Sequence, residues 1–199
     1  MSSNNQQTFT AMFAGFAKSL ERFHAATKNR NQIDTSASLF ELLNWAVTLD
    51  ERVCTDWTPK GKPLGWAWRE HVIGAEILQG VRFARNRVHH QWSDALEFDD
   101  AGRRYPKTFP VVYFEWRWRP AAHLPQPANP RYADPDGQRV YEEQLEHEIA
   151  RETAQQLANV FNHLRKRMEP PVRPGLSTAQ KLLAVQPTAS AGLPTKSLG

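Results

Sequence analysis

The stretch RFARNRVHHQW, which begins at Arg82, concentrates cationic, amide and titratable side chains in a segment with helical spacing. Side chains four residues apart lie on the same face of a helix, so Arg82, Asn86 and His90 share one face. Arg85 and His89 form a second pair beside it. A guanidinium binds phosphate through paired hydrogen bonds, and an imidazole exchanges a proton near neutral pH. These residue types predict cleavage of a phosphodiester that carries its own nucleophile, the ribose 2′-hydroxyl, without a metal ion.

Periodic apolar residues predict the helices that must position these side chains. Apolar side chains recur at three- and four-residue steps in four segments: 9–23, 37–54, 68–96 and 135–168. Ser38 and Glu41 fit a capping box at the start of the second helix, after a polar loop at 27–36. Asp134 and Pro135 fit an N-cap and first helical position for the last helix. We therefore predict a mainly α-helical fold, with the RFARNRVHHQW stretch late in the third helix.

The stretch FPVVYFEWRWRP, which begins at Phe109, alternates apolar and polar residues and predicts a β-strand. Its partner is predicted to be residues 95–98 or 103–105 in a hairpin, or a strand of another chain. The alternation favours a position of Trp116 and Trp118 against the core or a dimer partner. The alternative is a base-stacking platform of the kind that binds single-stranded RNA.

Composition and charge restrict the function classes. The chain has 199 residues, of which 40% are hydrophobic and 23% are charged, as in ordinary globular proteins. We predict one domain over 1–168 and a disordered tail over 169–199, which is rich in Pro, Ser and Ala. The formal net charge of +4 permits an anionic partner such as RNA. No apolar run is long enough for a membrane span, so we predict no membrane partner and a cytoplasmic location.

The sequence contains no recognisable motif for a metal site or a cofactor site. The single cysteine, Cys54, excludes a disulfide framework and a thiolate zinc cluster within one chain. His147 and Glu148 lack the second histidine of an HExxH motif, and there is no glycine-rich phosphate loop. We therefore predict no metal site and no cofactor.

The run from Arg85 to His90 resembles the Arg-x4–6-His motif of HEPN domains, in which a polar residue directly follows the arginine. Its place late in the third helix of an all-helical bundle is also similar. The resemblance implies a HEPN-like antiparallel bundle with a small β-hairpin insertion near 95–119. It further implies a metal-independent endoribonuclease that acts as a homodimer, with the motifs of two protomers in one cleft.

By the same resemblance Arg85 and His90 are the catalytic pair and Asn86 supports them. The implied product is a 2′,3′-cyclic phosphate, and the implied setting is a toxin–antitoxin or phage-defence system with an antitoxin protein as a partner. Trp92 stands where one toxin branch carries a tyrosine, so a modification switch at that tyrosine is not implied. Candidate RNA-binding residues flank the pair: Arg82, Arg87 and His89.

Simpler interpretations of these residues stay open. The arginines are also compatible with a solvated surface, and His89 with a structural role. For the whole chain, one alternative is a non-catalytic HEPN-like module for RNA binding or dimerisation. Another is an interaction protein held together by the aromatic strand and the last helix. On the second helix, the candidates to face the motif or to pair with its arginines are Glu41, Asn44, Asp50 and Glu51.

Overall fold

A computed structural model describes residues 3–59, 61–89, 94–99, 115–127 and 129–168. These residues form a mainly α-helical fold with a small antiparallel sheet, which confirms the predicted fold class. The predicted tail at 169–199 and His90 lie outside the described residues. The helices are α1 (Ser3–Lys28), α2 (Gln32–Asp56), α3 (Ile77–His89), α4 (Pro135–Gln144) and α5 (Ala150–Met168). The strands are β1 (Leu96–Asp99) and β2 (Glu115–Trp118), and the 3₁₀ segments are Gly65–His71, Ala121–His123 and Pro130–Tyr132.

Neighbouring helices pack in an antiparallel arrangement around an apolar core. Helix α2 packs between α1 and α3, α4 packs on α3, and α5 packs on α1. Aromatic side chains fill the contact between the first and last helices. The rings of Phe16 and Phe161 pack edge to face there, with their centroids 4.7 Å apart. The core therefore fixes the rotation of each helix about its axis, which decides where polar side chains point.

The start of α2 differs from the predicted start. The helix begins at Gln32, because the side chain of Asn31 accepts hydrogen bonds from the amides of Ile33 and Asp34 and so caps the first turn. The predicted loop at 27–36 is thus too long. The predicted capping box is wrong, because Ser38 is buried inside α2 and donates to a carbonyl in the preceding turn. Its supposed partner Glu41 instead pairs with an arginine of α1, Arg22.

The third helix is shorter than predicted. The chain from Gly65 to His71 is a 3₁₀ segment, and α3 begins only at Ile77. Between them Gly74 has a φ of 79°, a left-handed conformation that interrupts a helix and that glycine adopts at low cost. Ile73, which the predicted apolar stripe included, is consequently exposed. The predicted end near 96 is also wrong, because Leu96–Asp99 form β1.

The last predicted helix is divided into α4 and α5. The predicted cap is confirmed, since the side chain of Asp134 accepts from the amide of Gly137. Residues 145–149 leave the helix and lie along the edge of β2, where the Trp118 amide donates to Glu148 O at 3.1 Å and the His147 amide donates to Trp118 O at 3.0 Å. The edge of a strand presents unpaired amides and carbonyls, and this segment satisfies them.

The sheet confirms one of the predicted strand pairings. Strands β1 and β2 are antiparallel, with Leu96 opposite Trp118 and Phe98 opposite Trp116. Both tryptophans are buried, and the indole of Trp118 donates to Thr153 Oγ1 at 2.9 Å. The interpretation that they face the core is confirmed, and neither ring is available to stack on a base.

A fully buried carboxylate joins α2 to the 3₁₀ segment and α3. Asp50 accepts from the indole of Trp68 at 3.2 Å and from Nε of Arg69 at 3.0 Å, and its Oδ2 lies 3.8 Å from a terminal nitrogen of Arg82. This confirms the predicted pairing between α2 and Arg82. Burial raises the pKa of the Asp50 carboxyl, and the hydrogen bonds of Arg69 and Trp68 and the charges of Arg69 and Arg82 oppose that rise.

Removal of the Asp50 carboxylate is expected to destabilise the fold strongly. Asp50→Ala leaves Arg69 and Arg82 close together without their buried counter-ion, and we expect a loss of about 3–5 kcal/mol in the free energy of unfolding. Urea denaturation measures this loss. Glu51→Gln is the matched control, because Glu51 is an exposed partner of Arg82 and an exposed pair contributes about 1 kcal/mol or less. Equal losses in the two variants would contradict the role assigned to the buried carboxylate.

The close packing of α3 against α4 is expected to require glycine at position 80. A Cβ atom there would lie 2.9 Å from Leu145 Cδ1 and 3.0 Å from the backbone nitrogen of Tyr141. Although alanine favours a helix over glycine by about 1 kcal/mol, we expect Gly80→Ala to lower stability by about 1–3 kcal/mol through overpacking. Thermal unfolding checks this, with Gln79→Ala on the same helix as the control. A stabilised Gly80→Ala protein would show that the helices can separate without cost.

Candidate functional site

The polar side chains singled out in α3 meet α2 at three successive levels. Because the two helices are antiparallel, residues later in α3 contact residues earlier in α2. We call this row of contacts the α2–α3 strip. Its contacts are the parallel rings of His89 and Phe40 at 5.1 Å, the hydrogen bond from Arg85 to Asn44 at 3.1 Å, and the hydrogen bond from Arg82 to Glu51 at 3.0 Å.

Arg85 is held in the strip by two amide oxygens. Its Nε donates to Asn44 Oδ1 at 3.1 Å, and its Nη1 donates to Asn86 Oδ1, also at 3.1 Å. Asn44 is itself oriented, because its amide nitrogen donates to the Phe40 carbonyl at 2.9 Å. Asn86 is exposed, so the guanidinium lies at the surface of the bundle. The two amides direct the guanidinium without cancelling its charge.

The environment of Arg85 differs from that of the described arginines that pair with a carboxylate. Within the ranges described above, no Asp or Glu oxygen forms an ion pair with Arg85. At an arginine without a nearby carboxylate, an incoming anion has no bound carboxylate to displace. Seven arginines do pair with a carboxylate: Arg22, Arg52, Arg69, Arg82, Arg117, Arg139 and Arg151.

The two flanking arginines of α3 occupy different environments. Arg82 lies in the strip but is engaged by Glu51 and by the buried Asp50. Arg87 is only 8% exposed, lies with its Cζ 4.7 Å from the ring centre of Phe83, and donates to the carbonyl of Pro125 at 3.4 Å. Burial lowers the pKa of Arg87. The structure therefore brings Arg82 and Arg85 to one face and does not bring Arg87 to them.

His89 lies at the end of α3. His89 is its last residue, and its stacking on Phe40 packs the imidazole against α2. A pocket of about 260 Å³ opens beside this stack, and Asp94 on its wall accepts from Ser36 Oγ at 2.6 Å. His90, the candidate acid–base, lies outside the described residues and follows His89 directly in the chain.

One residue of this face, Trp66, was not found from the sequence. Its indole is 47% exposed, and the guanidinium of Arg82 lies over it at 4.4 Å. The sequence places Trp66 between a loop rich in Pro and Gly and the predicted third helix, where it carries no periodic signal. Only the contact with Arg82 connects it with the α2–α3 strip.

Within the described ranges, no group of three or more His, Cys, Asp and Glu side chains is arranged to hold a metal ion. No helix in that part of the chain combines the length and the apolar character needed to cross a bilayer. No family model, curated protein or solved structure matches this chain. What supports a function is therefore the chemistry of the α2–α3 strip.

Asn44 and Arg85 are expected to be energetically coupled through their hydrogen bond. In a double-mutant cycle with Asn44→Ala and Arg85→Ala, we expect a coupling energy of about 0.5–1.5 kcal/mol in urea unfolding. The cycle of Asn44→Ala with Arg139→Ala serves as the control, because Arg139 lies on α4 and pairs with Glu143. That pair is expected to be additive within about 0.5 kcal/mol. Additivity of the Asn44 and Arg85 changes would contradict a formed contact.

Proposed function

We propose that this protein is a metal-independent endoribonuclease whose site is centred on Arg85. The observation that carries the proposal is a surface guanidinium oriented by two amide oxygens and paired with no carboxylate among the described residues. Such a group can stabilise an anion whose charge grows during a reaction. The guanidinium is already oriented, and no carboxylate among the described residues competes with the anion for it. A phosphodiester under attack is an anion of this kind.

The proposed reaction uses three side chains that lie close together in the sequence, those of Arg85, Asn86 and His90. The ribose 2′-hydroxyl attacks the adjacent phosphorus, so that a new bond from phosphorus to O2′ forms and the bond to O5′ breaks. Arg85 stabilises the negative charge on the non-bridging oxygens, and Asn86 supports its position. His90 takes the proton from the 2′-hydroxyl or gives one to the leaving 5′-oxygen. The products are a 2′,3′-cyclic phosphate and a 5′-hydroxyl.

A homodimer would supply both proton transfers. One imidazole accepts a proton while a second donates one, and the His90 side chains of two protomers in a shared cleft meet this need. This arrangement is the one implied by the resemblance to HEPN domains. In a toxin–antitoxin or phage-defence setting, an antitoxin protein that covers the cleft would keep the enzyme inactive.

The proposal predicts cleavage of RNA in excess EDTA. Purified protein and total RNA are incubated with the chelator, and the new ends are analysed for a 2′,3′-cyclic phosphate. We expect Arg85→Ala to lower the cleavage rate by about 10²-fold or more, as for loss of a donor to transition-state charge. His90→Ala should have a comparable effect. Arg139→Ala, which changes an exposed arginine on α4, should cleave at the wild-type rate.

A charge variant at Asn44 tests the central observation without removing Arg85. Asn44→Asp replaces a neutral acceptor by a carboxylate of nearly the same shape, which loses the donor to the Phe40 carbonyl but gains an ion pair that compensates the charge of Arg85. Cleavage is expected to fall by at least about tenfold, the factor that corresponds to 1.4 kcal/mol. Wild-type rates in Arg85→Ala would refute the proposed site. RNA affinity that falls with salt, without any cleavage, would favour the non-catalytic binding module.

A further inference from the structure

An exposed tryptophan lies at the end of the α2–α3 strip. Trp66 is 47% exposed, although tryptophan is usually largely buried in folded proteins. The guanidinium of Arg82 lies 4.4 Å from its ring centre, and that of Arg69 lies 4.8 Å away. Cation–π contacts of this kind hold the indole in place before any ligand arrives.

The two arginines that contact Trp66 are also held by one carboxylate. A terminal nitrogen of each guanidinium lies next to the same oxygen, Oδ2 of Asp50, and that carboxylate is fully buried. The buried carboxylate therefore holds both cations beside the indole. Nearly half of the surface of Trp66 remains exposed to solvent, where a flat ligand can contact it.

Trp66 is connected to Arg85 through Arg82. Arg82, whose guanidinium lies over the indole, precedes Arg85 by three residues on α3. At a rise of 1.5 Å per residue the two arginines are separated by about 4.5 Å along the helix axis. The indole and the guanidinium of Arg85 therefore lie at neighbouring levels of the α2–α3 strip.

We propose that Trp66 is a stacking site for a nucleobase of single-stranded RNA, near the phosphate at Arg85. The identity of the ligand as RNA rests on the proposed function. An exposed aromatic ring beside a row of cations is the arrangement that binds single strands with little sequence preference. Arg69 and Arg82 place two cations beside the indole, and its exposed part receives the base.

The test measures binding without cleavage. A fluorescently labelled RNA of ten 2′-O-methyl nucleotides lacks the attacking hydroxyl, so fluorescence anisotropy reports affinity whether or not the protein cuts RNA. We expect Trp66→Ala to weaken binding by about 5- to 100-fold, because stacking contributes about 1–3 kcal/mol per base. Trp66→Phe keeps an aromatic face and should stay within about threefold of wild type, well under the tenfold of 1.4 kcal/mol.

Tyr132 provides the matched control variant. It is 64% exposed, and Arg131 lies 4.8 Å from its ring centre, so Tyr132→Ala also removes an exposed aromatic ring covered by an arginine. Its affinity should equal that of wild type. Selective weakening in Trp66→Ala supports the proposal, even if the wild-type protein cuts no RNA and the proposed function fails.

Three results would overturn the proposal. The first is unchanged affinity of Trp66→Ala, even if RNA cleavage at Arg85 is intact. If light scattering also shows a shift of that variant from dimer to monomer, the indole is a protein contact instead. The second is an equal loss in Trp66→Ala and Tyr132→Ala, and the third is no binding by the wild type.

Discussion

The buried carboxylate of Asp50 is the constraint on which the rest of this face depends. Burial of an ionised group is costly unless hydrogen bonds and opposite charges compensate it. Here Trp68 and Arg69 donate to Asp50 from the 3₁₀ segment, and Arg82 approaches from α3. A single group on α2 thus fixes both the short segment and the start of α3. The contact with Arg82 lies three residues before Arg85, which bonds to Asn44 on the same helix pair.

Three arginines of one helix acquire three different properties from their neighbours. Arg82 is paired with carboxylates, Arg85 is held by amides, and Arg87 is covered by the ring of Phe83. The side chains are chemically identical, so the difference lies entirely in what each one contacts. A paired arginine stabilises the fold, a buried one fills space beneath the connector before α4, and the amide-bound one has no carboxylate partner among the described residues.

The tryptophans divide in a similar way between core and surface. Trp116 and Trp118, on the alternating strand, lie in the core between the sheet and α5. Trp66, in a segment without alternation, is exposed and contacted by two arginines. An aromatic ring near arginines in the sequence is thus a poor guide to stacking. The packing around each ring decides whether a base can reach it.

The sequence by itself determined the elements whose cause is local. Apolar periodicity predicted the helices, alternation predicted β2, and the pair Asp134 and Pro135 predicted the start of α4, because each depends on residues a few positions apart. It also named Asn44 among the residues of α2 that could face the motif, and Asn44 does contact Arg85. Tertiary structure decided where partners are distant in the chain. Residues 145–149 left the last predicted helix because the edge of β2 needed hydrogen bonds, and Arg87 was lost to the interior because α4 and its connector cover that face of α3. Periodicity indicates that a helix has an apolar face, but only packing decides which charges at its border remain in water.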